Sequence, residues 1–167
     1  MTLYKLSKGG TSYEVNHPMQ ESRVGAKSIA VNGDMWITGG YNGKYFDSTE
    51  FITTQNFDPI QKINLPEPVW AHTIFKFNDT TSFLIGGETS NNLWSSKTHF
   101  YNHFSKTWIG GPDLLTGRNM HTSGLIQDHE THMQHIVVTG RPVHFCNFEI
   151  MLRNVFSVIS TNWFQEL

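Results

Sequence analysis

Three histidines, His129, His132 and His135, are spaced three residues apart and lie beside Asp128 and Glu130. Imidazole and carboxylate groups are ligands that zinc and copper accept. On a β-strand, however, side chains three and six positions apart do not all point to the same face. The run is also polar throughout, as in a long hairpin turn. We therefore predict a turn here, with no metal site and no cofactor.

Motifs of nucleophilic and phosphate chemistry are absent from the sequence. There is no G-x-S-x-G elbow and no P-loop. The single cysteine, Cys146, lies among aromatic residues and is interpreted as a buried, inert thiol. We therefore predict no catalytic residues and no enzymatic activity. The alternative is a metal-dependent, oxidase-like or lyase-like enzyme, which copper or zinc bound by the histidine run would favour.

The elements that position these residues are indicated by the composition of the 167-residue chain. Charged residues make up 16% and aromatic residues 13%, with 14 glycines, which favours short strands joined by tight turns. The net charge of −2 predicts no nucleic-acid partner, and Glu149 and Arg153 interrupt the most apolar stretch, which argues against a membrane span. One cysteine and the lack of a signal-like apolar start predict a cytoplasmic protein.

An apolar run that ends in a glycine pair recurs along the chain. The pairs are Gly39-Gly40 and, 47 residues later, Gly86-Gly87; a further 53 residues on, the pair becomes Thr139-Gly140. Each run follows another short apolar stretch across a polar turn, and the turn Asn32-Gly33 is a strong hairpin signal. Each unit is therefore predicted to begin with a β-hairpin whose second strand ends at the glycine pair.

A second marker is a pair of large side chains seven residues apart, such as Tyr101 and Trp108. The same spacing separates Leu6 from Tyr13 and Phe156 from Trp163, and an arginine follows ten residues after Tyr13 and after Trp108. The polar residues between the members of the pair predict a second hairpin. Each unit is thus expected to contain four short strands.

Glycine doublets, aromatic pairs and a period near 50 residues together resemble the kelch repeat, and the resemblance covers most of residues 1–140. It implies an all-β fold, namely a segment of a kelch-type β-propeller built from four-stranded antiparallel blades. A β-sandwich of short strands is the alternative, but a sandwich has no reason to repeat at 47 residues.

The chain is predicted to be a single kelch-repeat domain that falls short of a closed ring. It divides into the last two strands of a partial blade (1–20), repeat 1 (21–67), repeat 2 (68–117) and a degenerate repeat 3 (118–167). Closed propellers have about four to eight blades. We expect a fragment of a longer kelch protein; the alternatives are closure by another chain, with self-association covering the open blade edges, and a truncated product without independent activity.

Recognition is expected on one end of the blades. A four-strand meander brings the loops after the glycine pairs to the same end as the links between blades, and loops on a rigid scaffold often bind partners. Since binding hot spots favour Trp, Tyr and Arg, the predicted partner-binding residues are Tyr41, Tyr45, Asn91, Asn92, Trp94 and Arg141. Arg23 and Arg118 belong to the repeat pattern and are expected to have a structural role between blades rather than to contact a ligand.

The kelch resemblance implies a protein–protein interaction scaffold or a substrate-recruiting module. Such modules occur in ubiquitin-ligase substrate receptors and in actin-associated proteins, and no BTB, BACK or F-box segment is visible in the sequence. We therefore expect a protein partner that binds the loop face, and we assign the role by analogy because a fold does not fix a function.

Overall fold

The computed structural model describes residues 3–6, 9–10, 12–15, 19–52, 63–90, 93–127, 129–130, 134–140 and 157–160. These residues form strands, turns and bends without any helix, so the prediction of an all-β chain is confirmed. Accordingly, nothing in the described residues is a helix long and apolar enough to cross a bilayer.

Short antiparallel strands make up the described part of the fold. They pair as β1–β2, β3–β4–β5, β6–β9, β7–β8–β10–β11 and β12–β13–β14. Their bounds are β1 Leu3–Leu6, β2 Ser12–Val15, β3 Lys27–Val31, β4 Asp34–Thr38, β5 Thr49–Ile52, β6 Val69–Trp70, β7 Thr73–Lys76, β8 Thr81–Ile85, β9 Glu88–Thr89, β10 Thr98–Asn102, β11 Thr107–Gly110, β12 Thr122–Gln127, β13 Gln134–Thr139 and β14 Ser157–Ser160.

The four-stranded sheet β7–β8–β10–β11 has the strand order predicted for one unit. Its second hairpin places Tyr101 directly opposite Trp108, with ring centroids 5.1 Å apart, so the seven-residue spacing is a cross-strand aromatic pair. The connecting turn is fixed by the Asn102 side chain, whose Oδ1 accepts hydrogen bonds from the backbone N–H groups of Phe104 and Ser105, each 2.9 Å long.

The predicted opening hairpins are also present. β3 and β4 are joined by Asn32-Gly33, both with positive φ (52° and 89°), as a two-residue hairpin turn requires. β12 and β13 also pair antiparallel, as the opening hairpin of the third unit. In the first unit a fourth chain segment lies beside β5, because Thr49 N–H donates to the Ile63 carbonyl at 3.2 Å.

The register at the two chain ends differs from the predicted aromatic spacing. In β1–β2 it is Lys5 that faces Tyr13, while Leu6 faces Ser12, because the connection is one residue longer than the β10–β11 turn. In the last sheet Ser160 is paired with His135, which is the place that Tyr101 holds opposite Ser82 in the central sheet. A serine therefore stands where the repeat pattern predicts an aromatic residue. Phe156 and Trp163, which were predicted to form the third aromatic pair, lie outside the described residues.

The core lies on both faces of the central sheet. On one side, side chains from β3 and β4 pack with Ile74 and Tyr101; Trp36 meets Tyr101 edge to face at 5.4 Å. On the other side, Phe83 and Ile85 pack with Ile136 and Val138 of β13. Consequently β7 lies between β3 and β12, so the first strands of the three units are neighbours.

Candidate functional site

The glycine doublets shape the end of the molecule at which β4 and β8 finish. Gly39 and Gly86 have left-handed φ values of 59° and 57°. A Cβ atom on Gly39 would lie 2.3 Å from the Val69 carbonyl oxygen, so no side chain fits between the doublet and the following segment. This close approach allows Gly40 N–H to donate to the Val69 carbonyl at 2.8 Å. In the next unit Gly87 N–H donates to the Arg118 carbonyl, also at 2.8 Å.

The segments that lead into β3, β7 and β12 are called links here and comprise residues 23–26, 69–72 and 118–121. Each contains one residue with left-handed φ: Gly25 (63°), Ala71 (53°) and Met120 (48°). Ala71 N–H donates to Gly25 O at 3.0 Å, and Met120 N–H donates to Ala71 O at 2.9 Å. The links therefore form one continuous hydrogen-bonded series across the three units.

Two buried histidines occupy the same place in consecutive links. His72 and His121 each lie against the first glycine of a doublet. The Thr38 hydroxyl donates to Lys27 O (3.1 Å) and therefore accepts from His72 Nε2 (2.9 Å), while His121 Nε2 is 3.1 Å from Thr73 Oγ1. No residue that the structure describes pairs with either Nδ1.

Burial lowers the pKa of both histidines. The pKa of His72 falls to about 3, mainly by desolvation and further by Lys27 and His121. The pKa of His121 falls to about 4, again mainly by desolvation and further by Arg118. Both rings are therefore neutral near pH 7 and serve as packing and hydrogen-bonding groups. The sequence predicted no role for either histidine, although His121 follows the repeat arginine Arg118 by three residues.

Both repeat arginines are buried and hydrogen-bonded to backbone carbonyls, but the predicted role between neighbouring units is wrong for Arg23. The Arg23 side chain is 1% exposed, donates to the carbonyls of Gly39 (2.9 Å) and Ser48 (3.0 Å), and pairs with Glu50 at 2.6 Å. Arg118 is also 1% exposed and lies 3.5 Å from Gly140 O. Arg23 thus joins its link to its own sheet, rather than to a neighbouring one.

Links and loops meet on one surface, which is called the loop face. Val24 pairs with Tyr41, β6 of the second link pairs with β9, and Glu88 pairs in turn with Trp94. The expectation that links and post-doublet loops share one end is therefore confirmed. The other end carries the β7–β8 and β10–β11 turns, which lie together because His103 N–H donates to Thr80 O at 2.7 Å.

An aromatic and acidic group, here the loop-face cluster, lies where these segments converge. It consists of Tyr41, Tyr45, Trp70, Glu88 and Asn119. The Tyr41 ring lies 5.1 Å from Tyr45 and 6.1 Å from Trp70, between centroids. Tyr45 Oη donates to Glu88 Oε1, and Asn119 Nδ2 donates to Glu88 Oε2, each at 2.9 Å. Desolvation and this bond to Glu88 raise the pKa of Tyr45 to about 12, so the phenol remains a donor.

Of the predicted partner-binding residues, the structure brings Tyr41 and Tyr45 into this cluster. Trp94 is half-buried and adjoins it through its backbone pairing with Glu88. Asn91, Asn92 and Arg141 lie outside the described residues. Trp70, Glu88 and Asn119 were not predicted as site residues. Trp70 and Glu88 belong to the second unit and are paired through the two-residue strands β6 and β9. Asn119 belongs to the link of the third unit and reaches Glu88 through its side chain.

The described residues of the histidine run do not belong to any cluster of three or more metal-ligating side chains. His129 is an exposed turn residue, His135 lies on β13, and His132 lies outside the described residues, as does Cys146. Among the residues described, no three His, Cys, Asp or Glu side chains are grouped as metal ligands would be. No protein-family model matches the chain, and no curated protein matches it either.

Proposed function

We propose that the chain is an arc of a kelch-type β-propeller, an incomplete ring of four-stranded antiparallel blades, and that it acts as a protein-interaction module. Three features support the propeller. One sheet has the full strand order of a blade, the inner strands β3, β7 and β12 are neighbours, and the links are hydrogen-bonded in series. Neighbouring sheets that repeat the same contacts are typical of radial repeats.

The observation that carries the binding role is the exposed apolar surface around the loop-face cluster. Val24 is 66% exposed and pairs with Tyr41; Leu93 (63%) and Met120 (69%) lie in the adjoining loop and link. Single exposed apolar residues are ordinary, but a group of them beside aromatic rings on a rigid scaffold is typical of a protein-binding surface. Tyr and Trp are also the side chains most enriched at binding hot spots.

The proposed cellular role is that of a scaffold or substrate-recruiting segment of a longer cytoplasmic adaptor, such as a ubiquitin-ligase substrate receptor or an actin-associated protein. The kelch resemblance is the support for this role. The proposal includes neither a nucleic-acid nor a membrane partner and assigns no catalysis. An oxidase-like or lyase-like enzyme is not proposed, because no described feature favours it.

The test is a selection of peptides from a displayed random library on the immobilised chain. Enriched peptides are synthesised, and their affinities are measured by fluorescence anisotropy for the wild type, Tyr41→Ala and Phe104→Ala. Phe104 is 91% exposed in the β10–β11 turn at the other end of the sheet, so it is the matched control. We expect Tyr41→Ala to weaken binding by about tenfold or more, as for a hot-spot residue. Equal loss in both variants, no loss in either, or no enriched peptide contradicts the proposal.

A further inference from the structure

Glu88 is a half-buried carboxylate on the loop face, and several described charged residues near the links and loops form ion pairs. Arg23 pairs with Glu50, Lys44 with Glu21, and Lys97 with Asp113. Among the described residues, the side-chain donors to the Glu88 carboxylate are neutral: the Tyr45 phenol and the Asn119 amide. Within the part of the chain that the structure describes, no lysine or arginine pairs with it.

These donors fix the carboxylate without neutralising it. One oxygen accepts from Tyr45 and the other from Asn119, so the group is held in a single orientation. Each carboxylate oxygen has a further lone pair for another donor. A partly desolvated anion in this state attracts a cation more strongly than an exposed one does, because the local dielectric is lower.

The rings beside Glu88 favour the same kind of ligand. Tyr41 lies edge to face against Tyr45 and is tilted against Trp70, so neither neighbouring ring is stacked parallel on the Tyr41 ring. Tyr41 is 37% exposed. Aromatic faces attract Lys and Arg side chains within about 6 Å of the ring centroid. A carboxylate with adjacent aromatic rings thus complements a cationic group in charge and in shape.

We infer that the loop-face cluster receives a basic side chain, a lysine or an arginine, of the protein partner. The inference rests on the proposed function and specifies the ligand chemistry of the same surface. The ammonium or guanidinium group pairs with Glu88, and its alkyl stem or planar fork lies against Tyr41. An acidic anchor is disfavoured, because the exposed cations Lys44 and Lys97 already have carboxylate partners. The guanidinium groups of Arg23 and Arg118 are buried.

The experiment combines the peptide selection with a Glu88→Gln variant. The glutamine side chain has nearly the same shape as glutamate and can still accept from Tyr45, while Asn119 can turn its amide to accept from the new NH₂ group. A urea unfolding curve checks that the variant is folded. The probes are the enriched library peptides, together with analogues in which each arginine becomes citrulline and each lysine becomes norleucine, both of which are uncharged.

The inference expects a basic residue in every peptide that depends on Tyr41. We expect Glu88→Gln and the neutral peptide analogue each to weaken binding by about tenfold or more, because each removes a charge-assisted hydrogen bond. When the Glu88→Gln variant is combined with the neutral peptide, binding is little weaker than with either change alone, because both changes remove the same contact. A matched control, Glu21→Gln, lies on the same face in an exposed pair with Lys44 and changes affinity less than about twofold.

Two results would overturn the inference in distinguishable ways. If peptides that depend on Tyr41 contain no basic residue, or bind Glu88→Gln as tightly as the wild type, the cation site is refuted and the proposed interaction function stands. If no peptide depends on Tyr41, the proposed function fails, and the cation site fails with it.

Discussion

Acidification is expected to unfold this protein through His72 and His121. Both rings are buried, both Nδ1 atoms have no hydrogen-bond partner among the described residues, and burial lowers the pKa of His72 to about 3 and that of His121 to about 4. Protonation would place a charged imidazolium in each buried site, and only at His121 does a backbone hydrogen bond, with Ile85, partly offset this. Nearby Lys27 and Arg118 make that charge still less favourable.

The size of the effect follows from the difference between folded and unfolded pKa values. In the unfolded chain each histidine takes up a proton below its ordinary pKa of 6.5, whereas the folded chain does not until about pH 4 or below. The stability that the neutral rings contribute is therefore fully present above about pH 6.5 and is lost as the pH falls. Between about pH 7 and pH 5, each histidine lowers the free energy of unfolding by about 2 kcal/mol. For a typical total of about 5–15 kcal/mol, the loss from both is large.

The assay is urea unfolding followed by tryptophan fluorescence over this pH range, for the wild type, His72→Gln and His121→Gln. Each variant is less stable near pH 7, but its stability falls by about 2 kcal/mol less than that of the wild type between pH 7 and pH 5. Burial also lowers the pKa values of His99 and His103, which act in the same direction, so the difference between variants is the decisive quantity. His129→Gln is the control, since His129 is exposed. Wild-type stability that is unchanged at pH 5, or variants with undiminished pH dependence, would refute the reasoning.

Three further predictions concern packing and assembly. Gly86→Ala places a Cβ 2.8 Å from Arg118 O at a φ of +57°, so we expect the free energy of unfolding to fall by about 2 kcal/mol or more, measured as a lower urea midpoint. Gly124→Ala is the neutral control, because a Cβ there meets open space at an ordinary φ. Ile136→Ala empties a fully buried position and should cost about 2–5 kcal/mol in the same assay, against less than about 0.5 for Phe104→Ala. The proposed open arc would leave its terminal sheets uncovered, so light scattering should give a molar mass that rises with concentration. A cooperative monomer at all concentrations would contradict the proposed incomplete ring.

The elements that the sequence predicts well are those encoded by local chemistry. Asn32-Gly33 has the positive φ values of a hairpin turn, and the spacing of Tyr101 and Trp108 matches a cross-strand pair. The series of links was not predicted, because Gly25, Ala71 and Met120 share a backbone conformation but no residue type. Their φ values accompany hydrogen bonds to neighbouring units, which a single chain segment does not encode.

The candidate site shows the same division. Tyr41 and Tyr45 could be found from one loop and the binding preferences of tyrosine. Glu88 and Asn119 could not, because their contact joins residues 31 positions apart through a loop and the following link. Trp70 belongs to a two-residue strand, too short for any alternation of apolar and polar residues to be detected.

The hydrogen-bonded links also give the molecule a direction. The second and third links each donate an N–H to the carbonyl of the preceding link, so the two ends of the series are chemically different. An additional unit can continue the series only head to tail. If a second copy completes the ring, both junctions must join a donor end to an acceptor end, and two like ends cannot meet in this way. The same polarity would let evolution lengthen or shorten the arc by whole units without redesigning the contacts between them.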